Sequence, residues 1–150
     1  MEIICRLCDI LSQLHSFDPP IIHRDIKPMN VMISNDEVVK LIDFDAAREN
    51  VVGEVEDTYL MGTKEFAAPE QYGFGQSDAR TDIYALGIML NVMLTGEVPK
   101  NRIYGNDSKT LTKIIKKCIM LEPDKRYKNV NELKSCLLYT SPSPRDTERS

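Results

Sequence analysis

The stretch between residues 23 and 43 concentrates side chains able to handle phosphate and a hard metal ion. Within His23-Arg24-Asp25-Ile26-Lys27-Pro28-Met29-Asn30, Asp25 offers a carboxylate that can accept the proton of an attacking hydroxyl. Lys27 stands two residues on, where its ammonium can offset charge developing on a transferring γ-phosphoryl group. Asn30 brings a side-chain carbonyl oxygen and Asp43 a carboxylate, the hard ligands that Mg²⁺ prefers. Taken singly, an Asp or Asn in a loop is a turn former or a cap. Together, in this order, they are equipment for phosphoryl transfer, a reaction governed by positioning and electrostatics.

The elements that must hold these residues are legible from hydropathy patterning. Ile3, Ile4, Leu7, Cys8, Leu11 and Leu14 recur at helical spacing, so the chain opens in an amphipathic helix, and Pro19-Pro20 bars any helix from running into the catalytic stretch. Val31-Met32-Ile33 and Val38 to Ile42 are β-rich runs on either side of Asn35-Asp36, the pattern of a hairpin. From Asp43 to about Tyr72 no periodicity is sustained, as befits a functional loop. Thr81 or Asp82 is positioned to cap a helix that carries Ile83, Leu86, Leu90, Met93 and Leu94 and ends at Gly96. It is apolar around most of its circumference, which predicts burial at the centre of the fold. Leu111, Ile114, Ile115, Cys118 and Ile119 predict another amphipathic helix, and Asn129 with Glu132 predicts a capping box that opens a last one. The expected class is α+β, mainly helical, with one small hairpin.

The ordered motifs resemble the protein kinase family. His23-Arg24-Asp25-Ile26 with Asn30 matches its catalytic loop, Asp43-Phe44 follows at kinase-like spacing, and Ala68-Pro69-Glu70 matches the close of its activation segment. The resemblance covers residues 1 to about 135. It implies a kinase-like C-terminal lobe, with ATP and Mg²⁺ as cofactors and a serine or threonine hydroxyl of a protein as acceptor. It gives Asp25 the role of catalytic base, Lys27 a phosphate contact, and Asn30 and Asp43 the metal. Thr63 would touch Asp25 and Lys27, and Lys27-Pro28 marks the serine/threonine type. Asp82 would hold the catalytic loop from the central helix, and Arg126 would pair with Glu70. Gln71-Tyr72-Gly73 points to the bacterial branch of the family.

His23 is expected to pack on Phe44 rather than shuttle protons. For Arg24 two roles stand side by side: receiving a phosphorylated residue of the activation segment, or pairing with a local carboxylate. Thr58 is the first choice of phosphate acceptor there, ahead of Tyr59 and Thr63. Lys40 should face solvent, and Gly73-Phe74-Gly75 should be an ordinary loop. One departure matters: Asp45 stands where the family has glycine, so the turn after Phe44 should switch less easily.

Composition narrows the function classes. The chain has 150 residues, room for a single domain with a core, and a net charge of −4, so no global basic field points to nucleic acid. The longest apolar run, Leu86 to Leu94, falls short of the roughly 20 residues a membrane-spanning helix needs. Cys5 and Cys8 form a lone C-x-x-C and read as small apolar residues of the first helix, in keeping with a reducing, cytoplasmic location.

No G-x-G-x-x-G loop occurs, nor a phosphate-holding lysine with its helix glutamate. The family carries these ahead of the helix that opens this chain, so the expectation is a lower lobe lacking its N-terminal partner lobe, with Met1 an internal methionine. Residues 136–150, from Cys136-Leu137-Leu138-Tyr139 through Ser141-Pro142-Ser143-Pro144, resemble a translated sequencing adapter, which sets the domain at 1–135. The alternative to an active kinase is a catalytically silent, kinase-like module that binds partners.

Overall fold

A computed structural model describes residues 1–49, 64–72, 76–105 and 108–140. Thr58, Tyr59, Thr63 and the Gly73–Gly75 loop lie outside the described residues, as do residues 141–150.

Helix α1 (Glu2–His15) turns Ile4, Cys5, Leu7, Cys8 and Leu11 inward, the face its spacing predicts. Burial pushes the Cys8 thiol up to about 12, as expected of a residue packed as an apolar group. Strand β1 (Ile21–Ile22) follows, then a short 3-10 turn at Pro28–Asn30, and then the expected hairpin of β2 (Val31–Ile33) and β3 (Val39–Leu41). Its antiparallel register pairs Val31 with Leu41, Met32 with Lys40 and Ile33 with Val39. Lys40 is exposed, as expected. Strand β4 (Arg48–Glu49) pairs antiparallel with β1 in a second two-stranded sheet, Ile22 opposite Arg48. Two-residue strands carry no periodicity, so the sequence gives no sign of this ribbon.

Helix α2 (Ala79–Thr95) runs through the centre, with Ile83, Leu86 and Leu90 fully buried. Its cap corrects the sequence expectation. Asp78, not Thr81 or Asp82, is the N-cap: its carboxylate accepts from the Arg80 N–H at 2.8 Å, and the Thr81 hydroxyl accepts from the Asp78 N–H at 3.0 Å. Thr81 thus serves as the reciprocal half of the box, and Asp82 is left for other work. Gly96 closes the helix at φ 81°, a left-handed C-cap in which glycine meets no Cβ penalty.

Helix α3 (Lys109–Cys118) is capped by Ser108, and α4 (Val130–Thr140) by Asn129, whose side-chain oxygen accepts from Glu132 N–H at 2.8 Å. Helix α4 continues beyond Ser135, the expected end of the domain, and Leu137 is fully buried in the shared core. The core joins α1, α2, α3 and α4 around Leu7, Leu86, Ile115 and Leu133.

Contact between α2 and α3 depends on Gly87. A Cβ there would lie 2.4 Å from the Cys118 Cβ and 3.0 Å from Ile119 Cγ2, so the helices approach at a distance no side chain permits. Gly87→Ala should therefore destabilise the chain by about 1–3 kcal/mol through overpacking, despite alanine's better helix propensity. A urea midpoint at or above that of the parent sequence would contradict this.

Candidate active site

Backbone geometry at the loop of residues 23–30 is set from below by one carboxylate. Asp82, fully buried in the first turn of α2, accepts from His23 N–H through Oδ2 and from Arg24 N–H through Oδ1, both at 2.9 Å. His15 Nε2, from the last turn of α1, lies 2.8 Å from the same Oδ2. Arg24 adopts φ 72°, a left-handed conformation that costs a non-glycine residue free energy, and the two amide bonds to Asp82 help to offset that cost.

His23 is fully buried, and both of its ring nitrogens are engaged. Nδ1 accepts from the Asp25 N–H at 3.1 Å, so Nε2 carries the proton and donates to the Ile42 carbonyl at 3.0 Å. The ring meets Phe44 edge-on, centroids 4.8 Å apart. This arrangement ties the loop of residues 23–30 to the far end of the hairpin and leaves the imidazole no free nitrogen for shuttling protons.

The 3-10 turn at Pro28–Asn30 folds Asn30 back onto Asp25. Its amide nitrogen donates to the Asp25 carbonyl at 2.7 Å and to Asp25 Oδ2 at 3.1 Å. Both contacts are acceptors, which fixes the amide orientation and leaves Oδ1 as the atom Asn30 can offer a cation. Lys27 Nζ lies 3.9 Å from Asp25 Oδ2, with both side chains partly accessible. Asp43 sits at φ 57°, exposed, with Oδ1 accepting from Asp45 N–H at 3.3 Å, and the Ile42 N–H bonds the Asn30 carbonyl at 2.9 Å. Asn30 and Asp43 therefore hang from one hydrogen-bonded backbone unit. Two protein oxygen ligands suit Mg²⁺, which usually takes one or two carboxylates and completes its shell with phosphate and water.

Behind this face lies a buried ion pair. Arg126 binds Glu70 through two parallel bonds, Nη1 to Oε2 at 2.7 Å and Nη2 to Oε1 at 3.0 Å, and the Thr81 hydroxyl donates to Glu70 Oε2 at 2.9 Å. Gln71, next to Glu70, accepts from the Ala68 N–H and donates to the Arg24 carbonyl at 2.9 Å.

A family model for the protein kinase domain matches residues 1–147. The chain belongs to the protein kinase family. Among its relatives, serine/threonine-protein kinase PknB of Mycolicibacterium smegmatis is 32% identical over 92% of this chain and 25% of its own length. A probable serine/threonine-protein kinase of Clostridium acetobutylicum is 34% identical over 75% of the chain and 20% of its own length. Serine/threonine-protein kinase A of Synechocystis is 45% identical over 53% of the chain and 16% of its own length. The chain spans a quarter or less of the length of these kinases.

Within this chain, the structure brings together Asp25, Lys27 and Asn30, links them to Asp43 through the hairpin, and joins Glu70 to Arg126 and Asp82 to the backbone of His23 and Arg24. Thr58 and Thr63 stay outside the described residues. Sequence reasoning missed His15 and Gln71. Each acts through a hydrogen bond to a residue more than 40 positions away, and no local spacing marks such a bond.

Proposed function

We propose that this chain is the lower lobe of a serine/threonine protein kinase that transfers the γ-phosphoryl group of ATP to a hydroxyl of a protein substrate. The observation that carries the reading is the Asp25–Asn30 pairing beside Lys27, with Asp43 tethered to the same backbone unit. Mg²⁺ supplies charge neutralisation of the phosphates, and Asn30 Oδ1 and the Asp43 carboxylate are the groups that would hold it. Asp25 orients the attacking hydroxyl and takes its proton, Lys27 offsets charge on the transferred group, and Thr63 supports that pair. Arg24 and Thr58 are assigned to control of the activation segment.

An upper lobe completes the ATP cleft in this reading. Met29, Met32, Ile33 and Val38 are all about half or more exposed beside the catalytic loop, an apolar patch that a second lobe would cover. The kinase is assigned to the cytoplasm, and residues 136–150 to a non-native tail whose first residues extend α4 to Thr140.

The test is transfer of γ-labelled phosphate to a protein substrate by the longer product of the gene, with and without Asp25→Asn. Transfer that depends on Asp25 supports the reading, and the 150-residue chain alone should give none. A longer product that binds Mg²⁺–ATP yet transfers nothing would instead make this a partner-binding module.

A further inference from the structure

Arg24, strained at φ 72°, is gripped at both of its peptide groups. Its N–H is held by Asp82 Oδ1 at 2.9 Å, from the first turn of α2. Its carbonyl is held by the Gln71 side chain, whose Nε2 donates to it at 2.9 Å. That carbonyl shares a peptide unit with the Asp25 N–H, which donates to His23 Nδ1 at 3.1 Å. The unit is planar, so holding its oxygen on one side and its hydrogen on the other fixes its rotation. The Cα of Asp25 lies in the same plane, and the direction of the carboxylate follows from it.

Gln71 can serve as a fixed donor because its own amide is oriented. Its Oε1 accepts from the Ala68 N–H at 3.1 Å, and its backbone N–H bonds the Ala68 carbonyl at 2.9 Å. A donor at one end and an acceptor at the other decide which atom of the amide faces Arg24. The residue is 1% exposed, and a bond in such surroundings is stronger than one in water.

The contacts close a ring. Gln71 follows Glu70 in the 3-10 turn Pro69–Tyr72, and Glu70 accepts from the Thr81 hydroxyl at 2.9 Å. Asp82 follows Thr81 and returns to the Arg24 N–H. All five residues are buried, and Arg126 anchors the ring through Glu70. The turn before α2 and the first turn of α2 thus meet on the backbone that carries Asp25.

We propose that Gln71 is a positioning residue for Asp25, aiming its carboxylate through the Arg24–Asp25 peptide and making that aim depend on the seating of the Pro69–Tyr72 turn. The part of Asp25 as base rests on the kinase reading; the grip of Gln71 on the peptide does not. Gln71 touches no reacting atom, so its loss acts on turnover through geometry alone. A misplacement of about 1 Å can cost roughly a hundredfold in rate.

Gln71→Glu separates its two bonds with little change of shape. Ionised, the glutamate still accepts from Ala68 N–H but turns a negative oxygen toward the Arg24 carbonyl; protonated, it regains a donor. In the longer product of the gene, its kcat should fall roughly ten- to hundredfold near pH 8, with the KM for ATP shifting far less. The deficit relative to the parent should shrink toward about pH 6, because burial favours the protonated acid. Gln71→Met fills the space without a donor, so its deficit should not vary with pH. Gln13→Glu, an exposed change on α1, should leave the rate unaltered.

A second measurement needs no catalysis: amide hydrogen exchange of the 150-residue chain, followed by NMR. In Gln71→Met the Asp25 amide should exchange at least about tenfold faster, while those of His23 and Arg24, held by Asp82, keep the parent rate. Unaltered Asp25 exchange in folded Gln71→Met would overturn the proposal, as would equal acceleration of all three amides. A Gln71→Glu deficit that ignores pH would do the same; melting temperature controls for folding. Selective loss of Asp25 protection beside a longer protein that transfers nothing would fault only the kinase reading. Active transfer indifferent to Gln71→Met would fault only the positioning role.

Discussion

Replacing Arg126 by alanine should cost the fold about 3–5 kcal/mol, the range for removing one partner of a buried ion pair. The reason is how completely this guanidinium is used. Its Nε donates to the Met120 carbonyl at 2.8 Å, Nη1 to Glu70 Oε2 and the Arg80 carbonyl, and Nη2 to Glu70 Oε1 and the Leu121 carbonyl. Every N–H therefore has an acceptor, and the side chain has no measurable exposure. Alanine would leave the Glu70 carboxylate buried with only the Thr81 hydroxyl, and three carbonyls short of a donor. Against a typical total of about 5–15 kcal/mol, that loss takes a large share of the chain's stability. Arg126→Lys keeps the charge but not the planar fork, so it should fall between the two. In Arg126→Met with Glu70→Leu no charge is stranded, and the loss should be well below the sum of the single variants. Urea unfolding followed by far-UV circular dichroism measures all of these. A loss under about 1 kcal/mol for Arg126→Ala would mean that the pair does not hold the segment before α2 to the connection after α3.

The helices and hairpin could be read from the chain because their signals are local. The apolar residues of α1 from Ile4 to Leu11 repeat with the helix period, and Asn35-Asp36 separates two β-rich runs. The cap of α2 could not, because Asp78, Thr81 and Asp82 are all good capping types within one turn. What decides among them is tertiary: Glu70 takes the Thr81 hydroxyl, and the backbone of His23 and Arg24 takes Asp82. The candidate site divides in the same way. Asp25, Lys27 and Asn30 fall in one short run, so their chemistry shows in their spacing. Asp82 and Arg126 stood out only through a family resemblance. The bonds that His15 and Gln71 make left no trace, since a histidine in a last helical turn and a glutamine in a loop each have commoner uses.

The other large effect concerns catalysis. In the longer kinase proposed above, Asp25→Asn should lower kcat by roughly 10²–10⁴-fold, the span usual for loss of a positioned general base. Asparagine has the same shape and can still accept the Asn30 amide that now reaches Asp25 Oδ2 at 3.1 Å, so the loop should stay folded. What disappears is a negative oxygen able to take the hydroxyl proton, together with the charge that faces Lys27 at 3.9 Å. Asn30 keeps acceptors for its amide, and Asp43 is not changed, so the KM for ATP should shift far less than kcat. Asp43→Asn tests the other half of the site. It weakens an oxygen ligand while leaving the base intact, so its deficit should shrink as Mg²⁺ is raised, whereas that of Asp25→Asn should not. Initial rates at saturating ATP over a range of Mg²⁺ separate the two, with melting temperature as the control for folding. A folded Asp25→Asn kinase within about tenfold of the parent rate would remove Asp25 from the chemical step and leave its carboxylate a structural partner of Asn30.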